Sequence, residues 1–353
     1  MDRAPVYFLI PGDPDTPTGG FVYGRHAVRG LAEAGRLGAV VRIDGPFPAT
    51  DSDTLARAAL AIAAIPDNAI VVVDGLGFAP LIEVIQPHAH RFTVVALIHH
   101  PLGDETGLDA DERARWLRDE VAALAITRRV ITTSRTTATR LVDLGIDQSL
   151  LHAVPPGVDE PVDLAFRETR LSDGPLRLLT VATLVPRKGQ DLLVGALAHL
   201  ADRQWSADFV GDPRNPDYAR RLADQIAESR LGTRIALHGA VSPDRLEPFW
   251  RRADLFVLPS RHEGWGIAFV EAVRWGLPVI GTTAAAIPEA VPSEAAILVP
   301  PDDLGELTAA LARILDDPAE RKRLSDGAIH AAAGLRRWSD TAAEFTIAAT
   351  EGL

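Results

Sequence analysis

The stretch Leu255-Phe256-Val257-Leu258-Pro259-Ser260-Arg261-His262-Glu263-Gly264-Trp265-Gly266-Ile267-Ala268-Phe269-Val270-Glu271-Ala272 contains a strand, a stop, a glycine-spaced loop and the start of a helix. Its first four residues are an apolar run of strand length, Pro259 and Ser260 end it, and Phe269, Ala272 and Val273 recur at helical spacing. Backbone N–H groups of a first helical turn point at whatever sits before it, and glycines let a phosphate come close to the main chain. Glu263 and Glu271 bracket the loop, and carboxylates there suit hydroxyl groups rather than phosphate. A ligand with a diphosphate in the middle and a hydroxylated ring at each end satisfies both requirements, which describes a nucleotide-sugar.

The Glu-x7-Glu block, continued by Ala272-Val273-Arg274-Trp275-Gly276-Leu277-Pro278-Val279-Ile280, resembles the donor-site signature of family 4 (group 1) glycosyltransferases, retaining enzymes of the GT-B fold. The resemblance implies an α/β chain of two Rossmann-like doubly wound domains facing each other across a cleft. It further implies transfer of a sugar from a UDP- or GDP-linked donor to an acceptor hydroxyl, with no cofactor besides that substrate. In such a site Gly264, Trp265, Gly266 and Ile267 meet the donor, Glu271 holds ribose hydroxyls and Glu263 a sugar hydroxyl.

With 353 residues, 47% of them hydrophobic and 24% charged, the chain can bury two cores. A net charge of −12, and fourteen arginines against 21 acids up to Glu160, disfavour nucleic acid and anionic lipid as partners. No nucleic-acid partner and no stable membrane association are therefore expected; the acceptor is expected to be a small molecule or a glycan. Cysteine is absent, which excludes disulfides, thiolate metal sites and a cysteine nucleophile. The chain enters the apolar run Val6–Ile10 early, without a charged-then-apolar leader, and no long apolar span follows. A cytoplasmic protein is the expectation.

In the first half, Val6–Ile10 predicts a strand, 11–20 a loop ending in Gly19-Gly20, and Val28, Leu31 and Ala32 a helix. Without the leading glycines of G-x-G-x-x-G this is by itself a weak phosphate signal, as compatible with a tight turn as with a ligand site. The resemblance assigns Gly19 and Gly20 to the donor. Further strands are predicted at Val40–Ile43, Ala69–Val73 and Phe92–Ile98, the last running into His99-His100-Pro101. A strand-end histidine is often only hydrogen-bonded locally, and a metal site with Asp104 and Glu105 lacks the i, i+4 spacing of helical ligands. In an open α/β sheet, however, strand C-termini face the ligand, and the resemblance places a donor-sugar histidine on His99, with His100 as the alternative. Residues 111–126 predict a helix with Trp116, Leu117, Val121 and Leu124 inward and its charges solvated. Ser134 reads as a helix cap rather than a nucleophile.

Residues 155–175, rich in Pro, Gly, Asp and Glu, predict a linker, after which strand, loop and helix start again at Leu176. The expected domains are 1–160 with a returning helix at about 336–353, and 161–335. Lys188 and Lys322 are the only lysines among 36 basic residues, in a chain that elsewhere uses arginine. Lys322 falls in a charged, solvated run, whereas Arg187-Lys188-Gly189 stands at a strand-to-helix loop, where a guanidinium and an ammonium can clamp a diphosphate. Two surface cations would be the ordinary reading of such a pair; the resemblance makes them the donor clamp. It also sets Val241, after the strand predicted at 235–241, against the nucleobase, while His238 reads as structural. At Ala285-Ala286-Ile287-Pro288-Glu289 the family pattern Gly-Gly-x-Pro-Glu loses its glycines. No acidic pair with metal-ligand spacing adjoins the phosphate loops, so metal-independent transfer is expected. A nucleotide-sugar epimerase, or a nucleotide-sugar binder without turnover, is the alternative.

Overall fold

The computed structural model describes residues 4–165 and 174–353. Part of the stretch expected as a linker, residues 166–173, lies outside the described residues. The chain divides into two compact units, Met1–Gly157 with Arg336–Leu353, and Val158–Leu335. The first unit thus ends at Gly157, and Val158, inside the stretch read as linker, is buried in the core of the second.

In the first unit the strands are β1 (Val6–Pro11), β2 (Leu37–Ile43), β3 (Ile70–Asp74), β4 (Thr93–Ile98), β5 (Arg129–Thr132) and β6 (Leu151–Ala153). They form one parallel sheet in the order β2-β1-β3-β4-β5-β6. Runs such as Ile70–Val73 are buried throughout, as strands covered on both faces must be. In the second unit the strands are β7 (Leu176–Val181), β8 (Trp205–Val210), β9 (Ile235–Leu237), β10 (Leu255–Val257), β11 (Val279–Thr282) and β12 (Ala296–Val299). Their order is β9-β8-β7-β10-β11-β12, again all parallel. Both are doubly wound α/β sheets, the layout of the GT-B class. In each, strand order reverses at one place, between β1 and β3 and between β7 and β10, and ligands of such sheets bind beyond the strand C-termini there.

The helix Trp338–Thr350 belongs to the first unit. It lies so close to the helix Gly19–Glu33 that a Cβ on Gly30 would come within 2.7 Å of Ala342. Phe345 stacks on Phe8 and meets Tyr23 edge-on, both at 6.0 Å between ring centres. Tyr23 in turn donates its hydroxyl to the Val154 carbonyl at 2.9 Å. The first core is therefore closed by residues more than three hundred positions from its first strand. In the second, Phe256 of β10 packs between Trp250 and Phe269.

Phe345→Ala should lower unfolding stability by about 3–5 kcal/mol, the usual cost of removing a fully buried aromatic ring. Ile347→Ala, at an exposed position of the same helix, should shift it by less than about 0.5 kcal/mol. Denaturant melts of the two variants check this, and equal losses would contradict the packing described.

Candidate functional site

In the second unit the loops after β7 and β10 meet. Residues 183–189 leave β7, make a single 3-10 turn at Pro186–Lys188 and pass through Gly189 into the helix Gln190–His199. Gly189 has φ +68°, and a Cβ on it would lie 2.1 Å from the Pro259 carbonyl oxygen, so only glycine fits this close approach. Across from it, β10 ends and residues 259–266 lead to the helix Ile267–Arg274. Gly266 opens that helix at φ +100°, with no side-chain cap and no acid in its first turn.

Glu263 lies between the two loops, its side chain only 6% exposed. Lys188 Nζ donates to its Oε1 at 2.6 Å, Ser260 Oγ donates to the same oxygen at 2.7 Å, and Arg187 Nη1 donates to Oε2 at 3.3 Å. Arg187 Nη1 also reaches the His262 carbonyl at 2.8 Å. Burial alone would raise the Glu263 pKa, but Lys188 and then Arg187 outweigh it and bring the carboxyl down to about 2. The residue expected to meet a sugar hydroxyl is thus first the counter-ion of the two expected clamp cations. Glu271 accepts from Arg274 Nη1 at 3.0 Å, and its burial pushes its carboxyl pKa upward. The Trp265 indole nitrogen is buried without a hydrogen-bond partner. β9 stops at Leu237 rather than running to 241, so Val241 stands in the connection beyond it. His238 is held by Asp208, Nε2 to Oδ1 at 2.6 Å, which fits a structural role. Ala285, at the first of the two positions where the family pattern has glycine, takes φ +47°, a strain of roughly 1–2 kcal/mol for a side-chain-bearing residue. Its neighbour Ala286 still donates its N–H to the Glu263 carbonyl at 3.2 Å.

In the first unit Gly19 and Gly20 stand in the first turn of the helix Gly19–Glu33 rather than in the loop before it. A Cβ on Gly20 would touch the His99 ring, 3.4 Å from Nε2, and Tyr23, one turn on, meets that ring edge-on at 5.7 Å. β4 ends at Ile98, and His99 Nε2 lies 3.1 Å from Oδ2 of Asp74, the last residue of β3. Asp74 Oδ1 accepts from the Leu76 N–H at 3.0 Å. With Nε2 protonated and donating to Asp74, Nδ1 of His99 is left as an acceptor. His100 takes a different partner, Glu105 Oε2 at 3.5 Å. Asp104 is gripped by Arg140 through two bonds of 2.9 Å, so His99, His100, Asp104 and Glu105 do not converge.

The helix Ala110–Leu124 corrects one expectation. Trp116, Leu117 and Val121 are half-buried, and the innermost charged residue is Glu120. Burial pushes its pKa up to about 8, although its Oε2 accepts from the Leu102 N–H at 3.0 Å, fastening the segment after His100. Ser134 caps the helix Arg135–Asp143 by accepting from the Thr137 N–H. Asp74 and Glu120 are the buried carboxylates of this region that sequence reading passed over. The signal for Asp74 was an acid ending a wholly apolar strand; Glu120 had none.

These features can be set beside known proteins. A family model described as glycosyl transferases group 1 matches residues 162–331, which carry the whole of the ion-paired site around Glu263. Residues 162–331 belong to the group 1 glycosyltransferases. Relatives of that kind include an MMP alpha-(1->4)-mannosyltransferase of Mycolicibacterium hassiacum, 31% identical over 279 residues, 74% of this chain and 65% of that one. A D-inositol 3-phosphate glycosyltransferase of Acidothermus cellulolyticus is 31% identical over 241 residues, 63% of this chain and 53% of that one. The chain spans about half to two thirds of the length of the curated relatives it matches. Among solved structures, the sucrose-phosphate synthase of Thermosynechococcus elongatus superposes with a TM-score of 0.79 at 24% identity, covering 97% of each chain. Anabaena Alr3699/HepE, solved with UDP and glucose, gives 0.75 at 19% identity over 97% of this chain and 98% of that one. Both share the fold of this chain.

A carboxyl held below its unfolded value stabilises the fold fully above that value, about 4.3 for glutamate, and loses the contribution as pH falls through its folded value. Glu263→Gln should therefore be less stable than the wild type by about 3 kcal/mol at pH 7. The gap should close on acidification from about pH 4 toward pH 2, the value given above for the folded carboxyl. Denaturation at pH 7, 4 and 3 measures it, and a gap independent of pH would remove the ion pair from the account.

Proposed function

We propose that this chain transfers a sugar from a nucleotide-diphosphate donor to an acceptor hydroxyl with retention of configuration and without a metal ion. The observation that carries the reading is the convergence of Arg187, Lys188 and Glu263 where strand order reverses between β7 and β10, beside an uncapped helix start at Gly266.

Negative charge builds on the diphosphate as the sugar leaves. Preformed cations and N–H dipoles held away from water lower that barrier without reorganising. Arg187 and Lys188 supply the cations, and the amides around Gly264 to Ile267 the dipoles. Glu263 keeps both cations in place and, by resemblance, offers an oxygen to the transferred sugar. Glu271 meets the ribose, and Gly19, Gly20 and Val241 complete the donor set. The resemblance assigns His99 to the sugar, and its Asp74 partner leaves Nδ1 to accept from a sugar hydroxyl. A structural neighbour solved with UDP and glucose, and relatives named as a mannosyltransferase and an inositol 3-phosphate glycosyltransferase, support a nucleotide-sugar donor and an acceptor; the donor is proposed to be UDP- or GDP-linked and the acceptor a small molecule or a glycan.

Donor turnover, read as release of nucleoside diphosphate from a panel of nucleotide sugars, separates an enzyme from a binder. Lys188→Ala and Arg187→Ala should each cost roughly 2–4 kcal/mol in kcat/KM, and turnover should persist in excess chelator. Full activity of either variant, or strict dependence on Mg²⁺ or Mn²⁺, would overturn the clamp. His99→Ala should lower kcat far more than it weakens nucleotide binding, with His100→Ala the milder change; the reverse order would move the sugar contact to His100.

A further inference from the structure

A second guanidinium, that of Arg261, joins the two loops that carry the clamp. The Arg261 N–H donates to the Arg187 carbonyl at 2.8 Å. Its Nη1 donates to the Pro186 carbonyl, and Nη1 and Nη2 grip both oxygens of Asp191 at 3.0 and 2.9 Å. Its Nε donates to Asp302 Oδ1 at 2.6 Å. Asp191 opens the helix that follows the clamp loop, and its Oδ1 also accepts from the Tyr218 hydroxyl at 2.8 Å. On the other side of the same junction, Gly189 packs directly against the Pro259 carbonyl.

We infer that Arg261 is a positioning residue for the diphosphate clamp: it fixes the main chain from which Arg187 and Lys188 extend, without touching the ligand. This rests on the reading of those two residues as phosphate ligands. Two carboxylates, Asp191 and Asp302, already face the guanidinium, so it adds little positive field for an anion. What it supplies is geometry. An ammonium on a flexible four-carbon stem stabilises a developing charge only where its backbone is held to a fraction of an ångström. The carbonyls that Arg261 holds belong to Arg187 itself and to Pro186 before it. A planar fork that spans Asp191 while Nε reaches Asp302 is a task for arginine, which lysine can perform only in part.

The test is a double-mutant cycle on nucleotide binding, with UDP and GDP titrated calorimetrically into the full chain. Arg261→Ala should weaken the tighter-binding of the two nucleotides by about tenfold, and by less than about twofold once Arg187 and Lys188 are both alanine. Arg261→Lys, which keeps the charge and part of the bonding, should fall between the wild type and Arg261→Ala. It also provides the measurement should the alanine variant not fold. Arg203→Ala, which breaks the exposed Arg203–Asp316 pair of the same unit, should leave binding unchanged and so controls for general loss of stability. Equal losses from Arg261→Ala in the two backgrounds, or no loss with the clamp intact, would overturn the inference. If Arg187→Ala and Lys188→Ala themselves leave binding unchanged, the clamp reading fails first and this inference falls with it.

Discussion

The ion pair between Glu263 and the cations of Arg187 and Lys188 is the constraint on which the second unit's ligand end depends. Two strands that are neighbours in space but far apart in sequence, β7 and β10, each end in a loop. The loops could splay if nothing joined them. A nearly dry carboxylate shared by an ammonium, a guanidinium and a hydroxyl joins them at one point, and Gly189 packed on the Pro259 carbonyl joins them at another. Removing one partner of such a group leaves a buried charge uncompensated, which costs more than the pair contributes while intact. The same arrangement keeps two cations close together in an otherwise acidic protein.

In the first unit the corresponding constraint is packing. Gly20, Tyr23, Asp74 and His99 come from three different segments and meet at the ends of β3 and β4. The glycine at position 20 has a plain reason there, since any side chain would press on the imidazole. His99 is oriented by an aspartate that also caps the next turn, so one buried carboxylate fixes the direction of the imidazole and the exit of the chain from β3.

Much of this was legible in the sequence, for identifiable reasons. Strands buried on both faces are written as unbroken apolar runs, and β1, β3, β4 and β10 were found within a residue or two on that ground alone. The loop glycines and the rare lysine at 188 stood out because their local chemistry is unusual. What escaped were residues whose role depends on a partner distant in sequence. Asp74 looks like a strand stop until His99, 25 positions on, is placed against it. Glu120 sits among Arg118, Asp119 and other charged residues that face water, and only packing against Leu102 sets it apart. Arg261 lies inside the most informative block of the chain and carries no motif, because its hydrogen bonds reach four residues drawn from three other segments. β9 was read too long because the apolar pattern continues past Gly239, whose φ of +65° ends the extended chain.

The helix Trp338–Thr350 carries a consequence for how the chain is made. Phe8 and Tyr23 are translated more than three hundred residues before Phe345, the ring that covers them. At roughly 5–20 residues per second, the first unit waits about 10–35 seconds with an open apolar face while the whole of Val158–Leu335 is translated. The unit synthesised second contains all of its own core and can close first. Nascent-chain handling by chaperones should therefore centre on the sheet of β1–β6, and slow translation of Trp338–Thr350 would prolong its exposure rather than that of the second unit.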